Sequence, residues 1–592
     1  MIAITMTLWG WLGAAAPAAG PPDAWQPAAG PMLTRWAGEV GPQSAWPQYP
    51  RPQMVRSEWA SLNGLWSYAI LPLDQGPPQK WDGRILVPFP IQSALSGVMK
   101  PLDEKSRLWY RRAFEVPAAW SGRRVLLNFD ASDWETTVWL NGHELGRHQG
   151  GYDAFSFDMT DALQTRGPQE LLVAVFDPID AGPQPRGKQV RAPNGIWYTA
   201  SSGLWQTVWM EPVAATSLAG LVLTPDLDHF ALRVFASVRG SADGCTIDSA
   251  ALDGATPIAR ASSDAARELT LPITQPKPWS PDSPFLYGLK VTLRRGAQVL
   301  DTVDSYFGLR KIALGKDARA RTRILLNNAF IFQRGPLDQG FWPDGLYTAP
   351  TDEALRYDID MTRQLGFNMT RKHIKIEPER WYYWCDKLGL LVWQDMVSGN
   401  NNTEEGKRVF ETELRRMIEG RRNHPSIVMW EISNEGWGQF DTERLTTIVK
   451  QLDPSRLVDS ATGGDSKGAG DVVDAHGVEN VREPEGARAS VIGESMGVYW
   501  APAGHSWGQA GLTATPSQLD QLENTYTRYM REFWDLNDQR GISAYIYTQI
   551  TDVEGEMNGL LTYDRQSKYD VARIAAANRG QFPPLPAAKK TP

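Results

Sequence analysis

After residue 320 the chain alternates between short apolar runs and amphipathic helical patterns, and this rhythm limits its possible folds more than any other feature. Regular alternation of strands and helices is typical of a parallel sheet covered by helices. Eight candidate strands begin near Ile331, Asn368, Leu390, Ile427, Leu457, Val472, Val491 and Ser543. Amphipathic patterns fill gaps between them over Asp352 to Leu365, Pro378 to Leu388 and Glu404 to Arg422. Because a (β/α)8 barrel has this strand count and a typical size of about 250 residues, we predict a TIM barrel over residues 314–592.

The preceding part of the chain has a different pattern, made of short alternating strands separated by Gly, Pro, Asn and Asp. Even strand spacing without a helical period is typical of β-sandwiches and jelly rolls. We therefore predict a jelly-roll domain over residues 21–213 and a smaller immunoglobulin-like sandwich over residues 214–313. A chain of 592 residues is too long for one hydrophobic core, which agrees with a multidomain β plus α/β fold.

Residues 1–20 are predicted to be a signal peptide. Residues 2–16 are uncharged and mostly apolar, and Ala16-Pro17-Ala18 has the small residues of a cleavage site. Gly10 and Gly13 interrupt the apolar run, which disfavours a membrane span. No Lys or Arg precedes the run, so a disordered or misassigned start is the alternative. We predict a secreted or periplasmic protein without a membrane partner.

Composition and missing motifs exclude several function classes. The net charge of −8 and the pI near 5.6, without a basic stripe, argue against a nucleic-acid partner. Cys245 and Cys385 fall in different predicted domains, so we predict two free buried thiols. The chain has seven histidines but no HExxH helix, zinc-type cluster, phosphate loop or GxSxG elbow, so we predict no cofactor and no metal. For the acidic cluster Asp552, Glu554 and Glu556, a solvated loop is preferred over a cation site.

Two predicted barrel strands end in carboxylates. The apolar run Ile427 to Trp430 leads to Asn434 and Glu435, and the seventh strand ends in Glu494. Barrel enzymes carry their catalytic residues at these C-terminal strand ends. A lone carboxylate after a strand is usually an ordinary loop residue, but a pair without a metal-ligand cluster indicates glycosidic bond cleavage. Hydrolysis with retention needs the two groups about 5 Å apart, with the acid kept protonated by burial or a neighbouring charge.

Other side chains at the predicted strand ends are candidate substrate contacts. Asn434 could donate to a sugar 2-hydroxyl, and Arg371 could hold the nucleophile ionised through charge-assisted hydrogen bonds. A structural ion pair is the alternative for Arg371, and a satisfied core hydrogen bond is the alternative for His373. The remaining candidates are the strand-end residues Asp395, His476, Tyr547 and Gln549, together with Trp437, Trp500 and Trp507, which could stack on sugar rings or pack in loops.

Motifs in chain order resemble those of glycoside hydrolase family 2, the group of β-galactosidases, β-glucuronidases and β-mannosidases. The early motifs are Arg56 to Trp59, Leu62 to Trp66, Trp109 to Arg112, Val138 to Gly142 and Gly195 to Trp197. Tyr306 to Lys311 resembles the junction into the barrel, and the barrel motifs are Asn368 to His373, Trp430 to Glu435, and Glu494. The resemblance covers nearly the whole chain after the leader and implies that residues 21–213 correspond to a sugar-binding domain.

The resemblance implies a retaining, exo-acting glycoside hydrolase that works by double displacement without an organic cofactor. It assigns Glu435 as acid/base and Glu494 as nucleophile. Arg371, His373, Asn434 and His476 are then residues of the sugar subsite. The implied partner is an oligosaccharide or glycoconjugate substrate.

The chain departs from the family pattern at positions that bear on the sugar. After the first strand the family often shows Arg-Gly-Val-Asn-x-His, whereas this chain has Arg334 to Gly340, so Asp338 and Trp342 are predicted to shape a different pocket. The Asn-x-Lys element that reads a glucuronate carboxylate in β-glucuronidases is missing after Glu494, and Trp393 to Met396 looks more like β-mannosidases. We predict release of a terminal β-linked sugar, preferably galactose, with β-mannosidase, β-glucuronidase and furanosidase activities left open. A non-catalytic carbohydrate-binding protein is the alternative from another class, and a homo-oligomer is also left open.

Overall fold

The computed structural model describes residues 25–495, 497–508 and 511–583, and the predicted signal peptide at residues 1–20 lies outside this range. Within it, two antiparallel β-sandwiches precede a barrel of eight parallel strands. This architecture confirms the predicted fold class. In the sequence, the two sandwiches therefore come before the barrel.

The first sandwich pairs a four-stranded sheet with a six-stranded sheet. Buried and half-buried side chains alternate along Glu135–Leu140, as expected for a strand with one face in the core. In spatial order the four-stranded sheet contains Ala60–Ser61, Val208–Val213, Arg124–Phe129 and Phe155–Asp158, and the six-stranded sheet contains Gly83–Val87, Gly64–Pro72, Ser106–Phe114, Gln169–Phe176, Glu135–Leu140 and His143–Gln149. Two short pairs complete it, Gln189–Val190 with Tyr198–Thr199 and Ser132–Asp133 with Gly203–Leu204.

The second sandwich is smaller and has its own core, which includes Leu232, Val291 and Phe307. Its sheets contain Ser217–Asp226, Ala231–Arg239 and Leu269–Pro272, and Thr256–Asp264, Cys245–Asp253, Tyr287–Arg295 and Gln298–Phe307. Cys245 lies in this domain and Cys385 lies in a barrel helix, and both thiols are buried and unpaired. The predicted absence of a disulfide between them is confirmed.

The eight barrel strands begin within two residues of their predicted starts. In chain order, strands one to eight are Gln333–Asp338, Met369–Lys372, Leu391–Asp395, Ile427–Glu431, Leu457–Asp459, Val472–His476, Ala489–Ser495 and Ile542–Tyr547. The hydrogen-bonded ladder runs from strand five through four, three, two, one, eight and seven to strand six. A three-stranded antiparallel sheet precedes the barrel and consists of Ile312–Lys316, Thr322–Leu326 and Ala329–Phe330. Its residue Ile324 shares a core cluster with Met369 and Val428, so it covers the N-terminal end of the barrel.

Among residues 25–583, apart from the undescribed positions 496, 509 and 510, six α-helices surround the barrel, and the three predicted helices agree with the structure to within one residue at each end. The helices are Asp352–Gln364, Glu379–Leu388, Glu404–Arg421, Thr442–Leu452, Pro516–Gln539 and Val571–Asn578. Thr351 and Thr403 are the N-cap residues of the first and third helices. Their side chains accept hydrogen bonds from backbone N–H groups of the first turn. In the described part of the chain, no helix has the length and apolar composition needed to span a bilayer.

Helices do not fill every gap between strands, contrary to the predicted alternation. Residues 460–471 and 477–488 connect strands five, six and seven without an α-helix, although Val478–Asn480 form a 3-10 turn. Both connections have twelve residues, which is at the lower limit for a crossover that contains a helix. The first also contains four glycines, which disfavour a helix.

A loop of the first sandwich, residues 183–199, lies over the C-terminal end of the barrel strands. The backbone N–H groups of Arg186 and Gly187 both donate to Ser398 O at 3.0 Å. On another side of the opening, Thr199 N donates to Glu554 Oε1 at 2.9 Å. The barrel opening therefore has a wall built by the first sandwich.

Candidate active site

Glu435 lies where the chain leaves the fourth barrel strand. Its φ of +51° is in the left-handed region, which costs a non-glycine residue about 1 to 3 kcal/mol and is common at functional sites. Two backbone hydrogen bonds to the loop after the fifth strand hold this conformation: Glu435 N to Thr462 O at 2.9 Å and Thr462 N to Ser433 O at 3.0 Å. The side chain of Glu435 is 54% exposed at the barrel opening.

Glu494, on the seventh strand, lies close to Glu435. One carboxylate oxygen of each residue and one ring nitrogen of His476 all lie within 4.8 Å of one another. Retaining glycosidases have carboxyl groups about 5 to 5.5 Å apart, whereas inverting enzymes leave about 6.5 to 9.5 Å for a water. The separation fits hydrolysis with retention. The three groups could also hold a cation, but a cation would occupy both carboxylates that this chemistry needs.

Arg371 is fully buried and organises the floor of the opening. Its Nη1 lies 3.5 Å from Glu494 Oε2 and donates to Gly493 O at 2.8 Å. Nε and Nη2 donate to the two oxygens of Asp395, each at 3.0 Å. The guanidinium therefore lies against Glu494 and fixes Asp395 by a bidentate contact.

Asn434 is oriented by the same guanidinium. Arg371 Nη2 donates to Asn434 Oδ1 at 2.9 Å, which leaves the amide N–H groups of Asn434 free to point toward Glu435, where Nδ2 lies 3.5 Å from Oε2. The side chain thus presents donors to the opening, as the predicted contact with a sugar 2-hydroxyl requires.

His476, at the end of the sixth strand, forms a hydrogen bond with Glu435. Its Nδ1 lies 3.0 Å from Glu435 Oε1, and its Nε2 lies 3.0 Å from Thr462 Oγ1. Gly463 packs against the ring, because a Cβ at this position would lie 2.5 Å from imidazole atoms. The imidazole is therefore held with Nδ1 directed at the carboxylate.

The pKa of Glu435 is lowered to about 2. The hydrogen bond with His476 is the main cause, and together with nearby positive charges, including Lys188, it outweighs the opposing effect of partial burial. We expected burial or a neighbouring charge to keep this carboxyl protonated. The structure differs because the side chain is half-exposed and accepts a hydrogen bond, and both features favour the ionised form of Glu435.

His373 and Asp395 form a buried pair below the opening. His373 Nδ1 lies 3.0 Å from Asp395 Oδ2, which also accepts the Ile374 N–H at 3.1 Å. Burial lowers the pKa of His373. Burial also opposes charge on Asp395, but Arg371 outweighs it and holds the pKa of Asp395 well below its usual range. Arg371 connects Asp395 of this pair to Glu494 at the opening.

Three further carboxyl groups line the floor and were missed by sequence reasoning: Glu431, Asp459 and Asp474, here called the floor carboxyls. They end or lie in strands four, five and six, and their side chains are buried. Burial raises the pKa of each of them, and neighbouring acids raise the pKa of Glu431 and Asp459 further. Glu431 directly follows the apolar run to Trp430, and a carboxyl group in so apolar a strand was the available signal.

Glu431 differs from Asp459 and Asp474, which both accept backbone N–H hydrogen bonds. Arg371 Nε lies 2.6 Å from Glu431 Oε2, yet its N–H is directed at Asp395. In the described part of the chain, neither oxygen of Glu431 has a hydrogen-bond partner. A buried carboxylate without donors is costly, so Glu431 takes the neutral form.

The structure places Asp338 and Trp342 in packing contacts, which corrects their predicted role in the pocket. Asp338 pairs with Lys372 at 2.7 Å and accepts the Gly340 N–H at 2.8 Å. Trp342 is buried, with the Arg565 guanidinium 3.7 Å from its ring centroid. Their polar atoms and ring face are already occupied by protein groups.

Tyr547, Gln549 and Trp500 also contact protein rather than the opening. Tyr547 is buried, and its hydroxyl accepts the Val498 N–H at 3.2 Å. Gln549 is buried between amide groups of the neighbouring loops, and its Nε2 donates to Asn558 Oδ1 at 2.8 Å. Trp500 packs with its ring centroid 6.0 Å from that of Tyr569. Strands seven and eight therefore use these side chains for internal packing.

The acidic cluster after strand eight is not the solvated loop that we expected. Asp552 and Glu554 are buried, as is Glu556. Asp552 pairs with Lys568 at 2.9 Å, and Glu554 accepts the Thr199 N–H. Glu556 accepts a hydrogen bond from the Tyr198 hydroxyl, so Glu554 and Glu556 connect the barrel to the first sandwich.

Trp437 stands at the edge of the opening with a tryptophan from the first sandwich. Its ring is T-shaped to Trp197, with centroids 5.0 Å apart. The Arg186 guanidinium lies 5.1 Å from the Trp197 ring centroid and 5.3 Å from that of Trp437. Trp197, Trp437 and Arg186 are here called the aromatic wall. Trp437 follows Glu435 by two positions in the sequence, so a sugar bound at the opening would pack its ring against this wall.

Comparison with known proteins identifies the same domains. Three family models match the chain: "Glycosyl hydrolases family 2, sugar binding domain" over residues 84–182, "Glycosyl hydrolases family 2" over residues 238–310, and "Glycosyl hydrolases family 2, TIM barrel domain" over residues 348–478. The three matches fall in the first sandwich, the second sandwich and the barrel, in that order.

Curated relatives carry two different activity names. The chain is 26% identical over 387 residues to a beta-galactosidase of Thermoanaerobacter pseudethanolicus, covering 62% of this chain and 49% of that protein. It is 24% identical over 452 residues to a beta-glucuronidase of Bacteroides fragilis, covering 68% of this chain and 61% of that protein. The matched parts span 34%, 45% and 49% of the length of three of the curated relatives.

Solved structures share the fold. A β-glucuronidase from Ruminococcus gnavus, in complex with D-glucuronic acid, aligns with a TM-score of 0.71 at 18% identity, covering 90% of this chain and 99% of that one. Bacteroides uniformis beta-glucuronidase 2 aligns with a TM-score of 0.69 at 20% identity, covering 89% and 70%. At these identities the likeness concerns the fold alone.

Proposed function

The chain belongs to glycoside hydrolase family 2, and on that premise we propose that it hydrolyses a terminal β-linked sugar by double displacement with retention. The observation that carries the proposal is the separation of Glu435 and Glu494, whose carboxylate oxygens lie within 4.8 Å at the barrel opening. Arg371 supports the assignment of Glu494 as nucleophile because its Nη1 lies 3.5 Å from Glu494 Oε2 and orients that side chain toward the opening.

In the first step, Glu494 attacks the anomeric carbon while Glu435 protonates the glycosidic oxygen, and the bond to the leaving group breaks. Asn434 donates to the sugar 2-hydroxyl as positive charge develops. In the second step, Glu435 removes a proton from water, which attacks the anomeric carbon and releases Glu494. The sugar leaves with its original configuration.

The proton for the first step is proposed to be shared between His476 and Glu435. The hydrogen bond between Nδ1 and Oε1 gives the proton a direct path to the carboxylate. A sugar that covers the half-exposed Glu435 would remove water and raise the pKa of that carboxyl, which favours its protonated form. Substrate binding thereby creates the acid that the free site lacks.

Galactose is the sugar that the sequence favours, and the beta-galactosidase name of some relatives supports this choice. Glucuronate is the second candidate, because other relatives at similar identity are named beta-glucuronidases. A panel of aryl β-glycosides separates the two sugars directly.

Replacement of Glu435 by Ala tests the catalytic proposal. We expect kcat/KM to fall by about 10²- to 10⁴-fold for alkyl and phenyl glycosides, and far less for 2,4-dinitrophenyl glycosides, whose leaving group needs little protonation. Glu404, whose side chain is 91% exposed, provides the control Glu404→Ala, which should keep full activity. Wild-type protein that binds sugars but cleaves no aryl glycoside would instead support a carbohydrate-binding protein.

A further inference from the structure

One segment of the first sandwich, Arg186 to Gln189, reaches the barrel opening. Gly187 packs so closely on the residue after His373 that a Cβ would lie 2.8 Å from Ile374 O. The φ of Gly187 is +62°, which also favours glycine. The backbone of this segment is therefore fixed against the end of the second barrel strand.

The residues on either side of Lys188 anchor it from both directions. Gln189 is buried, and its Nε2 lies 3.0 Å from Tyr152 Oη and 3.2 Å from Asp133 Oδ2. The Arg186 guanidinium donates to Gln189 O at 2.6 Å while it packs on the aromatic wall. The position of Lys188 is thus built into the fold rather than left to a free loop.

Lys188 differs from Arg186, whose guanidinium donates hydrogen bonds to the backbone oxygens of Gly187 and Gln189. Lys188 is only 9% exposed, and its Nζ lies 5.4 Å from the ring centroid of Trp197. Among the described residues, no hydrogen bond or ion pair to Nζ was found. A largely buried side chain that ends in an unpaired ammonium at the barrel opening is placed to meet an anionic ligand.

The Lys188 ammonium interacts electrostatically with Glu435, the proposed catalytic acid. Its positive charge reaches Glu435 and contributes to lowering the pKa of that carboxyl. Glu435 is itself hydrogen-bonded to His476 rather than to Lys188. The ammonium lies near the aromatic wall at the edge of the opening, with its hydrogen-bonding capacity unused.

Resting on the proposed function, we propose that Lys188 binds an anionic group of the substrate, either a carboxylate or a sulfate ester on the sugar. Such a group would form charge-assisted hydrogen bonds with Nζ in a site shielded from water. Lys188 lies outside all three ranges that match the family models. This contact would replace the Asn-x-Lys element that the sequence lacks after Glu494.

The test compares matched pairs of 4-nitrophenyl glycosides that differ only at C6. They are β-D-galactoside against β-D-galacturonide, β-D-glucoside against β-D-glucuronide, and β-D-galactoside against its 6-sulfate. We expect Lys188→Met to lower kcat/KM by about 10- to 100-fold for the preferred anionic substrate and by less than about threefold for its neutral partner. The uronide and sulfate arms identify which anion is bound.

Two control variants make the result specific. Lys188→Arg should recover part of the loss on the anionic substrate, because it keeps the charge but changes the shape. Lys290→Met removes a lysine of the second sandwich that pairs with Asp304 at 2.6 Å, and it should change neither class of substrate.

Two results would overturn the inference while leaving the proposed function intact: a wild-type preference for neutral glycosides, or an equal loss on both members of a pair in Lys188→Met. An equal loss would mean that Lys188 acts only on the protonation of Glu435. Failure of the wild type to cleave any member of the panel would overturn the proposed function and this inference with it.

Discussion

Carboxyl groups at two levels of the same barrel are in opposite charge states. At the opening, Glu435 is half-exposed, accepts a hydrogen bond from His476 and has a pKa of about 2. Below it, Glu431 and the other floor carboxyls are buried, and their pKa values are raised. Burial therefore favours the neutral form of the floor carboxyls, whereas exposure and the hydrogen bond with His476 favour the ionised form of Glu435.

Matched Glu→Gln substitutions at the two levels should give the largest contrast. Glu494→Gln removes the nucleophile, and we expect kcat to fall by at least about 10⁴-fold. Glu431→Gln replaces a neutral acid by a neutral amide of the same shape, and we expect kcat to change by less than about tenfold. Steady-state kinetics on an aryl glycoside measures both. Equal losses would mean that the floor is charged or takes part in the chemistry.

His476→Phe should bring the pKa of Glu435 closer to the pKa values of the floor carboxyls. The pKa of Glu435 is expected to rise from about 2 toward its ordinary value of 4.5, because the hydrogen bond that lowers it is lost. Carbon-13 NMR of labelled glutamate side chains measures this shift. Thr462→Val removes only the partner of Nε2 and should leave most of the shift in place. An unchanged pKa in His476→Phe would show that other charges hold Glu435 ionised.

The hydrogen bond between Glu435 and His476 predicts a small effect of pH on the free energy of unfolding. Because the folded pKa of Glu435 is lowered, its contribution to stability is present above pH 4.5 and is lost as pH falls toward 2. His476→Phe should remove this pH-dependent contribution, which is small because the group is half-exposed.

The floor carboxyls should affect the free energy of unfolding with the opposite dependence on pH. A carboxyl group with a raised folded pKa stabilises the fold at low pH, and this contribution is lost as pH rises above 4.5 toward the folded pKa. Relative to wild type, Glu431→Gln should therefore gain stability as pH increases from 5 to 8 in denaturant unfolding. A constant difference between the two proteins across this range would contradict a protonated Glu431.

Sequence patterns predicted the fold closely because strands and helices leave local signals. The barrel strand beginning at Ile427 and the helix beginning at Glu404 follow from apolar runs and helical periodicity. The segment between Asp459 and Val472 was less predictable, since its lack of a helix depends on a short connection across the barrel end.

The site was predictable only in part, because several of its properties depend on contacts distant in sequence. Glu435 and Glu494 stand out as carboxylates at strand ends, and their closeness follows from barrel geometry. The exposure of Glu435 and its bond to His476 depend on a loop that folds back from the next strand. Lys188 comes from another domain, and no local pattern connects it to the barrel.

The configuration of the first released sugar tests the central claim most directly. Proton NMR during rapid hydrolysis of an aryl β-glycoside distinguishes the two anomers before mutarotation equilibrates them. Because the carboxylate oxygens of Glu435 and Glu494 lie within 4.8 Å, the β-anomer is predicted to appear first. Initial release of the α-anomer would show inversion and would contradict the assignment of Glu494 as nucleophile.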